Sequence, residues 1–393
     1  MSMNNNTEAS QKFPMMPVAP LGVIAMRGCE EMGKAVNAYL TQWQVDNSTD
    51  ELLHSFYGSE ANGFLIRTNC PRFGTGEGKG MLLDSVRGYD LYIICDVGAY
   101  QCTYKMYGKE IPMTPDEHYA DLKRLIAAAS GKAKRINVIM PMLYEGRQHR
   151  RTARESMDCA LMLQELVGMG VANIITFDAH DPRVQNAIPL SGFDNVRSSY
   201  QMIKALIREY PDVDFDPEKI MIVSPDEGGM AKCMYYSSML GIQLGMFYKR
   251  RNYSIIVNGK NPIEAHEYLG RDLQGMDVII ADDMIASGDS MLDIAKFMHE
   301  KNAGKFFAVA TYGLFTNGLA KFDKAYEDGL IHGVFCTNLT YRTPELLERP
   351  WFHEVDCSKY IAYVITAMNH DISITEMLDP AQKIKALMEK HGK

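Results

Sequence analysis

The segment Val278-Ile-Ile-Ala-Asp-Asp-Met-Ile-Ala-Ser-Gly-Asp-Ser290 sets two carboxylates, Asp282 and Asp283, directly behind an apolar run. Such a run reads as a buried strand, so both acids emerge at its C-terminal end. Ser287-Gly288-Asp289-Ser290 then forms a turn that opens a helical pattern from Met291. Backbone N–H groups at a helix start attract an anion, glycine lets it approach closely, and serine hydroxyls add donors. The turn therefore reads as a phosphate cradle, and the acid pair beside it is suited to sugar hydroxyls or a metal. Ser290 with Asp293 also makes a capping box. Capping alone leaves two acids at the end of a buried strand unexplained.

A cradle of this kind needs parallel strands to hold it. Short β-branched runs occur at Gly22–Met26, Leu91–Cys95, Ile136–Met140, Asn173–Phe177, Lys219–Val223, Ile242–Phe247, Asp277–Ala281 and Phe306–Thr311. Amphipathic stretches of helical period lie between them, at Pro115–Ala129, Ala153–Gly168, Gln201–Tyr210, Gly228–Leu240 and Met291–Lys301. Apolar runs followed by helices predict buried parallel strands in βαβ units, whose ligands sit where strands end and helices begin. The pattern occurs once before about residue 200 and once after, with the polar, turn-rich Pro211–Pro217 as the expected joint. Residues 1–20 have no periodicity and read as a flexible N-terminal arm.

Composition narrows the class. At 393 residues the chain predicts two or three domains, given ~100–200 residues per domain. With 46% hydrophobic and 23% charged residues, the composition is close to the globular average and argues against a disordered or fibrous chain. A net charge of −8 argues against nucleic acid as a partner. No apolar run approaches the ~18–20 residues of a membrane span, and the N-terminus lacks a secretory pattern. Eight cysteines without a CxxC pair predict reduced thiols and a cytoplasmic location. Methionines at helical core spacing, such as Met157, Met162 and Met169, read as gap fillers. No GxxxxGK[ST] occurs, so a P-loop kinase is not expected.

The 278–290 segment resembles the phosphoribosyl-pyrophosphate loop of type I phosphoribosyltransferases and of ribose-phosphate pyrophosphokinases. Further motifs resemble the second family and follow its order across about residues 20–370. They are Arg72–Glu77 with Asp84–Ile94, Pro141–Arg151, Thr176–His180, Val223–Gly229, Tyr248–Arg251 and Ala310–Gly313. The resemblance implies an α/β fold of two tandem type I phosphoribosyltransferase-like domains, each a mostly parallel sheet flanked by helices. Residues 21–200 would form the ATP side and 201–370 the ribose 5-phosphate side, followed by a helical tail at 371–393. The implied reaction moves the β,γ-pyrophosphoryl group of ATP to the C1 hydroxyl of ribose 5-phosphate.

The implied roles attach to individual residues. Lys249 and Arg251 would neutralise charge on the transferred group, although a bare basic run is ordinarily a solvated surface. Arg147 and Gln148 match an ATP-contacting pair, and Phe73, Thr75 and Glu77 match a loop that completes an adenine slot in a neighbouring subunit. Asp282, Asp283, Ser287, Gly288, Asp289 and Ser290 would bind ribose 5-phosphate. His180 and Asp226 match ligands for Mg²⁺, with Mn²⁺ as the alternative. On chemistry alone His180 could equally be a hydrogen-bonded loop residue, Asp226 a helix cap, and Asp181 a spare carboxylate. A homo-oligomer built on a dimer, commonly a hexamer, and effector control by phosphate or ADP complete the implication.

Several positions depart from the family pattern. His149 replaces the acid of Arg-Gln-Asp, Ala286 replaces the acid that follows the pair, and Asp289 stands where the cradle has glycine. The connections 46–62 and 97–113 are longer than the family's. Two alternatives stay open: a catalytically silent regulatory relative, against which Lys249 and Arg251 count, and a phosphoribosyltransferase, against which the duplicated pattern counts.

Overall fold

The computed structural model describes residues 16–47, 63–251 and 263–392. They divide into two compact units, the first comprising Met1–Val196 with Cys357–Asp379 and the second Arg197–Asp356 with Pro380–Lys393.

In the first unit, β1 (Leu21–Ala25), β4 (Asp90–Ile94), β7 (Arg135–Ile139), β8 (Asn173–Phe177) and β9 (Gly192–Val196) form a parallel sheet in the order β1-β4-β7-β8-β9. Two antiparallel ribbons accompany it, β2 (Thr68–Asn69) with β3 (Met81–Leu82), and β5 (Thr103–Met106) with β6 (Lys109–Pro112). Ile24, Leu91, Ile93, Val138 and Ile174 share a buried cluster with Leu122, Leu125, Leu163 and Leu166 from the covering helices. The Pro115–Ala129 helix begins at its expected residue because Thr114 and Glu117 close a capping box and Pro115 occupies the first turn. The following helix starts at Asp158, five residues later than the predicted Ala153. Ser156 Oγ donates to Asp158 there (2.7 Å), so the hydroxyl marks the loop end.

The second unit has a seven-stranded sheet in the order β12-β11-β10-β13-β14-β15-β16. Its strands are β10 (Ile220–Ser224), β11 (Gln243–Arg251), β12 (Ile263–Leu269), β13 (Asp277–Ile285), β14 (Phe306–Gly313), β15 (Gly333–Thr337) and β16 (Phe352–Val355). Only the β11–β12 pairing is antiparallel. Val278 and Ile280 enter one core cluster while Ile279 and Ala281 enter another. Helices thus cover both faces, and the strand reads as an unbroken apolar run rather than an alternation.

Pro211–Pro217 is not the joint. It lies inside the second unit, where Val213 and Phe215 are buried beside Ile384 and Met388. Two apolar residues at period two between carboxylates are easily read as a turn-rich linker. The chain instead crosses between units at Val196, Asp356 and Asp379. The last crossings return the Ser358–Asn369 helix to the first unit, where it packs on the Glu30–Asn47 helix. Asn369 Nδ2 there donates to the Asp90 carboxylate (3.0 Å) and the Ala19 carbonyl (3.1 Å). Asp90, fully buried, also accepts from Asn137 (2.8 Å) and from both ends of the Arg135 fork (2.6 and 2.7 Å). A buried carboxylate is tolerable when it is this fully paired. All eight cysteines are free and seven are buried, in keeping with reduced thiols.

Candidate active site

Register places the acid pair. β13 pairs with β10 only as far as Ile280↔Val223 but follows β14 on to Ile285↔Gly313. Asp282 and Asp283 therefore lie on extended strand, beyond the last β10 pairing, where the sheet opens on one side. The expected strand ended at Ala281; β14 carries it four residues further. Asp283 N–H donates to Asp282 Oδ1 (2.8 Å). Desolvation first, then the charge of Asp283, raise the Asp282 pKa well above the carboxylate range. Lys232, on the Met230–Leu240 helix, works in the opposite direction and donates to Thr311 Oγ1 on β14 (2.8 Å).

The turn after β13 enters the Asp289–Glu300 helix through Gly288, its N-cap, at φ 80°. A side chain there would be strained, and its Cβ would sit 2.3 Å from Phe322 Cε2. Ser287 and Gly288 are half-buried and Ser290 is exposed. With Gly288 as cap, Ser290 lies inside the first helical turn, so the Ser290–Asp293 capping box does not start this helix. Asp289 pairs with Lys321 of the Ala320–Glu327 helix, which holds its carboxyl below the usual range. Its charge is therefore met locally.

Asp226 sits between β10 and the Met230–Leu240 helix. Its Oδ1 accepts from the N–H groups of Gly228 (2.9 Å) and Gly229 (3.2 Å), so it caps the turn. Lys249 and Arg251 lie on β11 by backbone, and their side chains fall outside the described residues.

The remaining predicted residues belong to the first unit. Phe73, 59% exposed, tips a loop closed by Phe73 N–H to Glu77 O and Gly76 N–H to Phe73 O, both 2.8 Å. Thr75 Oγ1 donates to Glu77 Oε2 (3.0 Å), and both residues are exposed. The loop is rooted by Arg72, whose guanidinium makes two 2.8 Å bonds to the buried Asp121 carboxylate. Beyond β7, Arg147 is exposed, and Gln148 Nε2 donates to the Ser156 carbonyl (2.8 Å). His180 is exposed after β8, its ring centroid 5.2 Å from that of His149. His149 Nε2 lies 3.5 Å from Asp181 Oδ2, while its buried Nδ1 has no hydrogen-bond partner. Asp181 is not spare: hydrogen bonds from Arg183, with His149 adding charge, hold it down at about 2. A cavity of about 620 Å³ opens between β1 and β5, and Arg72 is the only predicted-motif residue in its lining.

Sequence reading missed Lys232 and Lys321, and gave Thr311, inside the Ala310–Gly313 motif, no role of its own. A single lysine on an amphipathic helix carries no positional signal, and only the fold brings these groups to the acids and Asp289. Among the described residues no three acidic, histidine or cysteine side chains gather as a metal cluster. No described helix is long and apolar enough to cross a membrane.

Comparisons with known proteins agree with this architecture. Residues 21–170 match the model of the N-terminal domain of ribose phosphate pyrophosphokinase, and residues 192–328 match that of the phosphoribosyl transferase domain. A ribose-phosphate pyrophosphokinase of Ureaplasma parvum is 33% identical over 228 residues, 57% of this chain and 66% of that protein. One from Vibrio cholerae is 26% identical over 313 residues, 78% of this chain and 90% of that protein. In fold, the phosphoribosylpyrophosphate synthetase of Mycobacterium smegmatis superposes with a TM-score of 0.68 at 21% identity, over 88% of this chain and 98% of that one. With both domain models matched in order on two parallel-sheet units, the chain belongs to the ribose-phosphate pyrophosphokinase family.

Proposed function

We propose that this chain transfers the β,γ-pyrophosphoryl group of ATP to ribose 5-phosphate, giving phosphoribosyl pyrophosphate and AMP. The C1 hydroxyl oxygen attacks the β-phosphorus, and the bond from that phosphorus to the α,β-bridging oxygen breaks. AMP leaves with the bonding electrons and the hydroxyl proton is lost to solvent. Such a transfer is chiefly positioning and charge neutralisation.

One observation supports this reading best: an acid pair at the open end of β13 leads through a left-handed glycine into a helix start. In this reading Ser287, Gly288 and Ser290 receive the sugar phosphate, and Asp282 and Asp283 its hydroxyls. Lys321 draws off the charge of Asp289, the one cradle residue that would repel a phosphate. Phe73, Thr75 and Glu77, with Arg147 and Gln148, contact ATP. Lys249 and Arg251 meet the charge on the transferred group.

Mg²⁺, with Mn²⁺ as the alternative, is the proposed cation, and His180 and Asp226 are its two candidate ligands, one in each unit. A hard cation of this kind takes few protein ligands and completes its shell with phosphates and water. When bound it would neutralise phosphate charge. Homo-oligomers built on a dimer or reaching a hexamer, a cytoplasmic location, and phosphate or ADP as effectors belong to the same proposal.

The test is ³¹P NMR of the purified chain with ATP, ribose 5-phosphate, Mg²⁺ and inorganic phosphate. AMP rising together with a sugar-linked diphosphate is expected. Unchanged spectra across metals and phosphate concentrations would replace this reading with that of a silent regulatory relative.

A further inference from the structure

Between β4 and the Pro115–Ala129 helix, in one of the connections that run longer than the family's, stands the β5–β6 ribbon. Met106 pairs with Lys109, so Tyr107 and Gly108 form its two-residue tip, at φ 48° and 76°. Positive φ at both positions defines a turn that favours Asn-Gly or Gly-Gly. A bulky aromatic in the left-handed region is strained. Burial does not compensate here, because Tyr107 is 77% exposed.

The tip has one evident neighbour, the Arg72–Glu77 loop. Tyr107 N–H donates to the Gly74 carbonyl (2.8 Å). The Arg72 guanidinium lies 5.4 Å from the centre of the Tyr104 ring. Gly76, at φ 95°, packs so closely that a Cβ would be 2.8 Å from Met106 Sδ. Three ribbon residues thus hold a loop that presents Phe73 to solvent. Bonded and hydrogen-bonded lengths keep the Phe73 and Tyr107 Cα atoms within about 10 Å. No ring contact joins them among the described residues, so two exposed aromatic faces stand near each other with neither stacked on the other.

We propose that Tyr107 is a second base-contacting residue, stacking on the purine that Phe73 meets. The proposal rests on the reading of the Phe73 loop as nucleotide-binding. Aromatic stacking on a base needs only a π face and an exposed ring, and the Tyr107–Gly74 backbone hydrogen bond keeps the tip beside the Phe73 loop.

The experiment measures melting temperature and the Mg·ATP dissociation constant of the full chain for Tyr107→Asn, Tyr107→Phe and Phe73→Ala. Asn suits the left-handed position, so Tyr107→Asn should melt no lower than wild type while binding Mg·ATP about tenfold more weakly. Tyr107→Phe keeps the π face and should restore binding. Wild-type affinity in Tyr107→Asn, with weakened binding in Phe73→Ala, would overturn the proposal and leave Tyr107 a turn residue. Wild-type affinity in both variants would overturn the proposal together with the nucleotide reading of the loop. Weakened binding in Tyr107→Asn with a lowered melting temperature would also overturn the proposal, since the ring would then be structural.

Discussion

Asp282 joins two opposed demands in one side chain, burial at a sheet end and proximity to a second carboxylate. The folded chain therefore holds its proton more tightly than the unfolded chain does. The stability this contributes is full below the ordinary carboxylate pKa of about 4 and is lost as pH rises through the raised folded value. Urea titrations should show Asp282→Asn losing less stability than wild type as pH rises above that ordinary value; parallel curves would remove the effect. Asp282→Ala should raise the KM for ribose 5-phosphate, and an unchanged KM would dissociate the acid from sugar binding. Lys249→Ala should instead lower kcat by orders of magnitude at near-constant KM for ribose 5-phosphate, because its contact belongs to the transition state. Asp289 shows how far residue identity can be read without neighbours. Its type predicts repulsion of a phosphate, while the fold supplies Lys321, 32 positions along the chain. Lys321→Ala should weaken ribose 5-phosphate binding, and adding Asp289→Asn should recover it; a neutral Lys321→Ala would mean the pair lies apart from the sugar.

At the scale of elements, strands buried on both faces were the most legible. Asn173–Phe177 was expected with its observed bounds, and the other seven predicted strands differ at one or both ends, by no more than four residues. β9, with Gly192-Phe-Asp-Asn-Val196, has polar residues at its centre and gave no apolar run. β16 is an edge strand with His353 and Glu354 in its middle, and for the same reason it is silent in sequence. Helix starts were less legible: Pro115–Ala129 begins behind a Thr114–Glu117 capping box, whereas Gly288 is a cap of backbone conformation that side-chain chemistry does not announce. That geometry makes Gly288→Ala a sharp test. An alanine must take the left-handed region and push on the Phe322 ring, at a cost of about 2 kcal/mol or more. A variant with wild-type urea midpoint would show that the turn relaxes freely.

For the whole molecule, the duplicated strand–helix pattern announced two α/β units, but the path between them was illegible. The returning helix carries no sequence mark of which sheet it joins; in the structure its apolar face is buried in the first unit and Asn369 reaches the buried Asp90 carboxylate. Asn369→Ala removes two hydrogen bonds, one to a charged group, and should destabilise the first unit by about 2 kcal/mol. Hydrogen exchange would localise the loss to β1, β4 and β7, and a loss confined to the second unit would contradict the assignment. This threading also bears on biosynthesis. Residues 357–379 complete the first unit, and Ile384 and Met388 enter the core of the second. A nascent chain therefore carries an unfinished first core until residues 357–379 emerge and an unfinished second core until Ile384 and Met388 follow, so both sheets must stay soluble, or be shielded by a chaperone, until then.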